Sequence, residues 1–271
     1  MKKLISIIVT ILVVAFLVVS HLPKQTFNQL AVPFSHAHNN KKVNVSSDAD
    51  LLKLKWNEND YPAYYAKLDT KDLTDNDNTM IKDLKSKDKK EAFKYDGLDQ
   101  KGRSGNAYAI VTYESVKHHS SSEMQRPSFD SNADPSGWPD HNPKMQTGNY
   151  RGYLYNRSHS IAWSLGGSME RENLTTGTRA QNVGTRGHEG GMAYLENKVR
   201  DAVYSNHSLQ VYYKVRPIYK GQELLPRGSE VIAYSINDNG KTFNERVYVF
   251  NAQKGVNINY QNGQASGQNI Q

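Results

Sequence analysis

Three neighbouring stretches near the end of the chain constrain its fold most. Residues 209–219 alternate Val211, Tyr213 and Val215 against Tyr212, Lys214 and Arg216, the pattern of a half-buried strand. Two further β-branched and aromatic stretches, 231–236 and 243–250, flank Asn237-Asp238-Asn239-Gly240, a hairpin-type loop. Strands joined by so tight a turn pair antiparallel, so an antiparallel sheet is expected here. Residues 106–116 are β-branched and aromatic enough for another, buried strand, and 256–260 for a last short one. Between these, Met192, Leu195, Val199 and Val203 fall on one face of a helix over residues 191–206. The expected class is therefore α+β, a central antiparallel sheet flanked by helices. A solvated helix is expected within residues 70–92, where charges of both signs nearly cancel.

What holds such a fold is limited by one absence. The chain has no cysteine, so its stability rests on core burial, and thiol nucleophiles and zinc–thiolate sites are excluded. A length of 271 residues is ample for one self-supporting core plus an N-terminal extension. Lys2 and Lys3 precede an apolar run from residue 4 to residue 19, which Ser20-His21-Leu22-Pro23 interrupts, as in an export signal. The run exceeds a typical signal core and falls short of a comfortable span, so cleavage and membrane attachment through residues 4–20 both stay open. The expected organisation is a signal or anchor over 1–22, a polar linker over 23–55, one domain over 56–263 and a flexible tail over 264–271. The protein is then secreted or held at the outer face of the membrane.

The formal charge is +7, two units less without Lys2 and Lys3, a modest balance that favours polyanions through long-range attraction. Seventeen tyrosines suit a β-rich scaffold first and base stacking second. The loop over residues 118–148 contains Asp134-Pro135-Ser136-Gly137-Trp138-Pro139, turn-formers that continue neither helix nor strand. Long loops inside a domain tend to serve function, and this one is a candidate wall for a cleft.

The densest chemistry lies in Asn156-Arg157-Ser158-His159, followed by Asn173, Asn182, Glu196 and Arg200. Hydrolysing a phosphodiester needs a proton acceptor for water, positive charge for the phosphorus centre and help for the departing oxyanion. His159 is the candidate base, since imidazole is matched to that task near neutral pH. A Mg2+-like ion takes oxygen ligands and keeps several waters, so Asn182 with a nearby carboxylate is a candidate holder. Taken singly these residues are ordinary: loop histidines hydrogen-bond, asparagines cap turns, and a Glu–Arg pair four apart on a helix is a surface ion pair. Their joint order and spacing is what points to a site. The pair His118-His119 has no third ligand in register and reads as a surface loop.

With these residues in place, the sequence resembles the DNA/RNA non-specific endonuclease family, secreted nucleases with a ββα-metal site. The family carries Asp-Arg-Gly-His, whose histidine is the general base; Asn156-Arg157-Ser158-His159 corresponds to it. Asn173 and Asn182 reproduce the interval between two family asparagines, and Glu196 and Arg200 match its glutamate and arginine. The likeness spans residues 95–263, and Arg103 matches more loosely a family arginine that contacts substrate. The resemblance implies that His159 activates water, Asn182 binds Mg2+ with Mn2+ as a substitute, and Glu196 holds metal-bound waters. It further implies that Asn173 orients the site, that Arg157 and Arg200 balance phosphate charge, and that the products carry 5′-phosphates. Two departures stand out: Asn156 for aspartate and Ser158 for glycine leave the surroundings of His159 one unit less negative, which lowers the expected imidazole pKa. Thr185-Arg186-Gly187-His188 imitates the motif, but nothing downstream repeats the Asn, Asn, Glu spacing. The reading is a Mg2+-dependent endonuclease acting on DNA, with RNA left open and no obligate protein partner implied. The alternatives are a surface protein that captures nucleic acid without cutting it and a wall- or glycan-binding module.

Overall fold

The computed structural model describes residues 42–184 and 189–271. The signal or anchor over 1–22, most of the expected linker and His188 lie outside the described residues. In chain order the strands are β1 (Tyr65–Lys67), β2 (Phe93–Tyr95), β3 (Ala107–Val111), β4 (Lys144–Thr147), β5 (Tyr150–Tyr153), β6 (Tyr155–His159), β7 (Leu174–Thr178), β8 (Val211–Ile218), β9 (Gly228–Ser235), β10 (Asn244–Phe250), β11 (Asn257–Ile258) and β12 (Ala265–Ser266). The helices are α1 (Asp48–Lys53), α2 (Asp75–Lys85), α3 (Tyr113–His118), α4 (Arg179–Val183) and α5 (Ala193–Ser205).

Six strands form the central sheet in the order β1-β10-β9-β8-β3-β2, every neighbouring pair antiparallel. The β9–β10 hairpin closes over Asn237–Gly240 as its turn chemistry dictates, with Asn239 and Gly240 at positive φ. On one face, Val211, Tyr213 and Val215 of β8 and Val247 and Val249 of β10 pack with Leu195, Val199 and Val203 of α5. The opposite face is covered too: Tyr212 and Ile110 meet Met80, Ile81 and Leu84 of α2, while Ile218, Tyr248 and Phe250 meet Leu51 of α1.

That second cover changes the reading of β8. Its polar positions are largely covered by partners and do not simply face water. Lys214 donates to Asp77 of α2 at 2.7 Å, and Arg216 bridges Asp48 of α1 and Glu230 of β9. An alternating strand thus lies between two layers because helix carboxylates meet the cations on its polar side. Asp77 also caps α2 through a reciprocal capping box with Thr74.

Four expectations need correcting. Residues 43–55 belong to the fold and not to a linker: Ser47 and Asp50 form a capping box that starts α1, Leu51 is fully buried, and Val43 bridges Leu68. The tail is paired as well, since β12 joins β11 and Ile270 bridges Met145. Its polar composition hid backbone pairing and an apolar anchor, Ile270, which together with Val256 and Ile258 of the expected last strand covers Met145 and Leu225. The strand expected over 106–116 ends at Val111, because Thr112 and Ser115 form a capping box that opens α3. At the end of α3, His119 is buried, with Nδ1 at 3.0 Å from the Ser115 carbonyl oxygen and its ring edge-on to Trp163, where a surface loop was expected.

Candidate active site

The site is built on β6, β7 and α4, a strand–strand–helix unit beside the main sheet. Strands β6 and β7 pair antiparallel, placing His159 opposite Leu174 and Asn156 opposite Gly177. Chain direction on β6 sends Arg157 and His159 into a cleft of about 990 Å3, while Ser158 between them turns toward α4. There Ser158 Oγ donates to Asn182 Oδ1 at 3.1 Å, joining the strand to the helix through the two motif residues. Gly177 makes the approach possible: a Cβ at that position would lie 2.2 Å from Gln181 Oε1 and 2.7 Å from Ser158 Cβ. Thr178 caps α4, and the loop after β10 reaches across to fix its start, Asn251 Oδ1 accepting from Thr178 N and Gln253 Oε1 from Ala180 N.

Arg157, His159, Asn182 and Glu196 all line this one cleft. Asn173 does not. It is fully buried, with Oδ1 accepting from Ile161 N and Nδ2 donating to the carbonyls of Ile161 and Ser168, so it pins the loop that leaves β6 just after His159. Arg200 also lies outside the lining and is paired with Asp201 at 3.1 Å. Arg103 is further committed: it donates to Asp99 and to the carbonyls of Gly221 and Glu223, and its guanidinium lies 4.7 Å from the Tyr219 ring centroid.

Burial and charge set the protonation states. His159 is 8% exposed. Burial, with the Arg126 guanidinium adding like-charge repulsion, holds its imidazole down at about 3, so the ring is neutral at physiological pH. Nε2 lies 3.3 Å from the thioether sulfur of Met169, and the ring tilts against Phe129 at 5.7 Å. Burial pushes the Glu196 carboxyl in the opposite direction, up to about 8, with Arg200 pulling it partly back. Arg157 is held by Asp134, Nε to Oδ1 at 2.8 Å, and sits 4.7 Å from the Trp138 ring and 5.3 Å from Phe129.

The loop over 118–148 supplies one wall of the cleft through Arg126, Phe129, Trp138 and His141. Arg126 and Met169 were not singled out from sequence. The wall itself was legible in its turn-formers, but no local pattern marks which of its side chains approach a histidine on a different strand. Arg179, at the start of α4, lines the cleft as well and stacks 5.0 Å from the Tyr150 ring.

The donor set can be tested against a metal. No group of three His, Cys, Asp or Glu side chains converges among the described residues, so a closed tetrahedral ligand set is not built there. One amide oxygen, Asn182 Oδ1, keeps a lone pair beyond its bond to Ser158, and the Glu196 carboxyl shares its cleft. Few oxygen donors beside open space fit a hard divalent ion that retains water ligands.

A sequence profile of the DNA/RNA non-specific endonuclease family matches residues 82–237. The chain belongs to this family. A deoxyribonuclease of Streptococcus dysgalactiae subsp. equisimilis is 34% identical over 200 residues, a match covering 62% of this chain and 59% of that protein, so the chain spans less than two thirds of that relative's length. Among solved nucleases, Sda1 with bound zinc ion superposes with a TM-score of 0.66 at 34% identity, covering 79% of this chain and 100% of Sda1. NucA from Streptococcus agalactiae, with magnesium ion bound, matches with a TM-score of 0.52 at 23% identity over 65% of this chain and 77% of NucA, a likeness of fold. The family's profile covers the cleft-lining residues from Arg126 to Glu196, and the Sda1 structure holds a zinc ion.

Proposed function

We propose that this chain is a metal-dependent endonuclease that hydrolyses the DNA backbone with little sequence preference, with RNA a second substrate to be tested. The observation that carries this reading is the convergence of His159, Asn182 and Glu196 on one cleft. Neutral His159 takes a proton from water as the water oxygen bonds to phosphorus and the bond to O3′ breaks; O3′ leaves as an oxyanion that takes a proton from solvent, giving a 5′-phosphate and a 3′-hydroxyl. Arg157, kept in place by Asp134 and two aromatic faces, presents its remaining N–H donors to a phosphate oxygen. Arg126 and Arg179 line the same cleft and extend that positive track, whereas Arg103 and Arg200 lie outside it. Asn182 and Glu196 would hold Mg2+, or Mn2+ in its place, directly and through waters, and the ion supplies charge for the departing oxyanion. The cleft offers backbone contacts and stacking faces, consistent with weak base preference. Export or anchorage at the outer face rests on residues 2–22 alone.

Plasmid nicking by the full chain tests the reading. Nicking is expected to stop with EDTA, to return with Mg2+, and to fall ~10²–10⁴-fold in His159→Ala while DNA binding persists. Undiminished nicking by His159→Ala overturns the assignment, and binding without nicking by the wild-type chain identifies a capture protein instead.

A further inference from the structure

The contact between His159 Nε2 and Met169 Sδ, 3.3 Å, settles more than packing. A thioether carries no hydrogen and can only accept, so a hydrogen bond between these atoms requires the proton to be on the imidazole Nε2. The residue is buried, Phe129 lies against its ring, and no hydrogen bond to Nδ1 is formed among the described residues. A neutral ring protonated at Nε2 has its bare lone pair at Nδ1.

We propose that Met169 is a positioning residue: its sulfur accepts from Nε2–H of His159, fixes the imidazole in that tautomer, and leaves Nδ1 as the atom that takes the proton from water. The inference rests on His159 being the base, and what it assigns is the side chain that holds the ring in the acting tautomer. The partner of a catalytic histidine sets which nitrogen is free, and a carboxylate or carbonyl ordinarily serves. A thioether does so here with little charge. An anionic partner would raise the imidazole pKa, whereas sulfur, a weak neutral acceptor, orients the ring and adds no charge beside it. Met169 reaches the ring because the turn from Ile161 to Ser168, held by the buried amide of Asn173, brings the chain back beside the end of β6.

Histidine-selective 15N NMR of the full chain, with His159 assigned by its loss in His159→Ala, reads the tautomer directly. At pH 7 the wild-type ring is expected in the Nε2–H form. In Met169→Leu, which keeps the volume and removes the acceptor, the two tautomers mix and kcat for nicking falls about ten-fold with KM unchanged, part of what a general base supplies. Met169→Gln, whose carbonyl is a stronger acceptor, is expected to restore the Nε2–H form and most of kcat. A wild-type ring in the Nδ1–H form, or Met169→Leu with unaltered tautomer and kcat, overturns the proposal. The tautomer is read without turnover, so an inactive wild-type chain would sink the nuclease assignment and leave this measurement standing.

Discussion

At the scale of single residues, the acid–base pair of the cleft departs from ordinary values in opposite directions for one reason, burial. A buried imidazole resists gaining charge and a buried carboxyl resists losing its proton, so His159 moves down to about 3 and Glu196 up to about 8. Because the active form of His159 is the neutral one, the acid limb of kcat/KM is expected well below the ordinary histidine range near 6.5. Removing the like charge in Arg126→Ala should raise the imidazole pKa and move that limb to higher pH. A pH–rate series of the two proteins checks this, and a limb left in place would show that Arg126 does not bear on the base. The expectation from Asn156 and Ser158 that the histidine is unusually acidic agrees in direction. The cause differs: burial leads and Arg126 adds to it, a cation contributed by a loop well before the motif.

At the scale of elements, the site depends on how closely α4 lies against β6. Gly177 of β7 lies at that contact, with no room for a Cβ between Gln181 and Ser158. Gly177→Ala is expected to push Gln181 and Ser158 apart and break the bond from Ser158 to Asn182, lowering metal-dependent activity more than ten-fold and stability by about 1–3 kcal/mol. Activity assays beside urea unfolding measure the two effects. The pairing of α2 with β8 is a second such joint. Burial raises the Asp77 carboxyl, but bonds from Lys214, Thr74 and Tyr212 outweigh it and hold it below the usual range. A depressed carboxyl contributes stability in full above the unfolded-state value, and that contribution is lost as the pH falls through the folded-state value. Asp77→Asn leaves the Lys214 ammonium without its partner and is expected to cost about 3–5 kcal/mol at pH 7, with a smaller difference from wild type in acid. Chemical denaturation at pH 7 and at pH 3 gives both values.

At the scale of the whole molecule, the C-terminal residues support the cleft. Gly263 packs so closely on the wall loop that a Cβ there would lie 2.0 Å from the Gly137 carbonyl oxygen, and Ile258 and Ile270 cover Met145 and Leu225. Truncation after residue 256 should therefore lower Tm by several degrees and loosen the wall that carries Trp138, reducing nicking at fixed DNA concentration. A truncated chain equal to wild type in both would mark these residues as an appendage. Acid should destabilise the molecule for a second reason besides Asp77: the unfolded chain protonates His159 at its ordinary pKa while the folded chain resists until about 3, so stability rises with pH across that interval.

Periodicity and turn chemistry made most of the scaffold legible. The helix over 191–206 and the hairpin over 231–250 follow from local patterns that tertiary contacts reinforce, and the motif residues His159, Asn182 and Glu196 stood out by order and spacing. The three-layer build was not legible, because a lysine that meets water and a lysine that meets a helix carboxylate look alike in one dimension. The pairing of residues 43–55 and 264–271 was hidden for a similar reason: polar side chains conceal backbone hydrogen bonds made to distant strands. Within the site, the sequence alone determined which chemical groups were present. Tertiary structure decided which of them share a cleft, that Asn173 braces a loop, that Arg103 is committed elsewhere, and that Arg126 and Met169 stand beside the imidazole. Those outcomes depend on proximity between residues far apart in the chain, and side-chain charge states follow from that proximity and from burial.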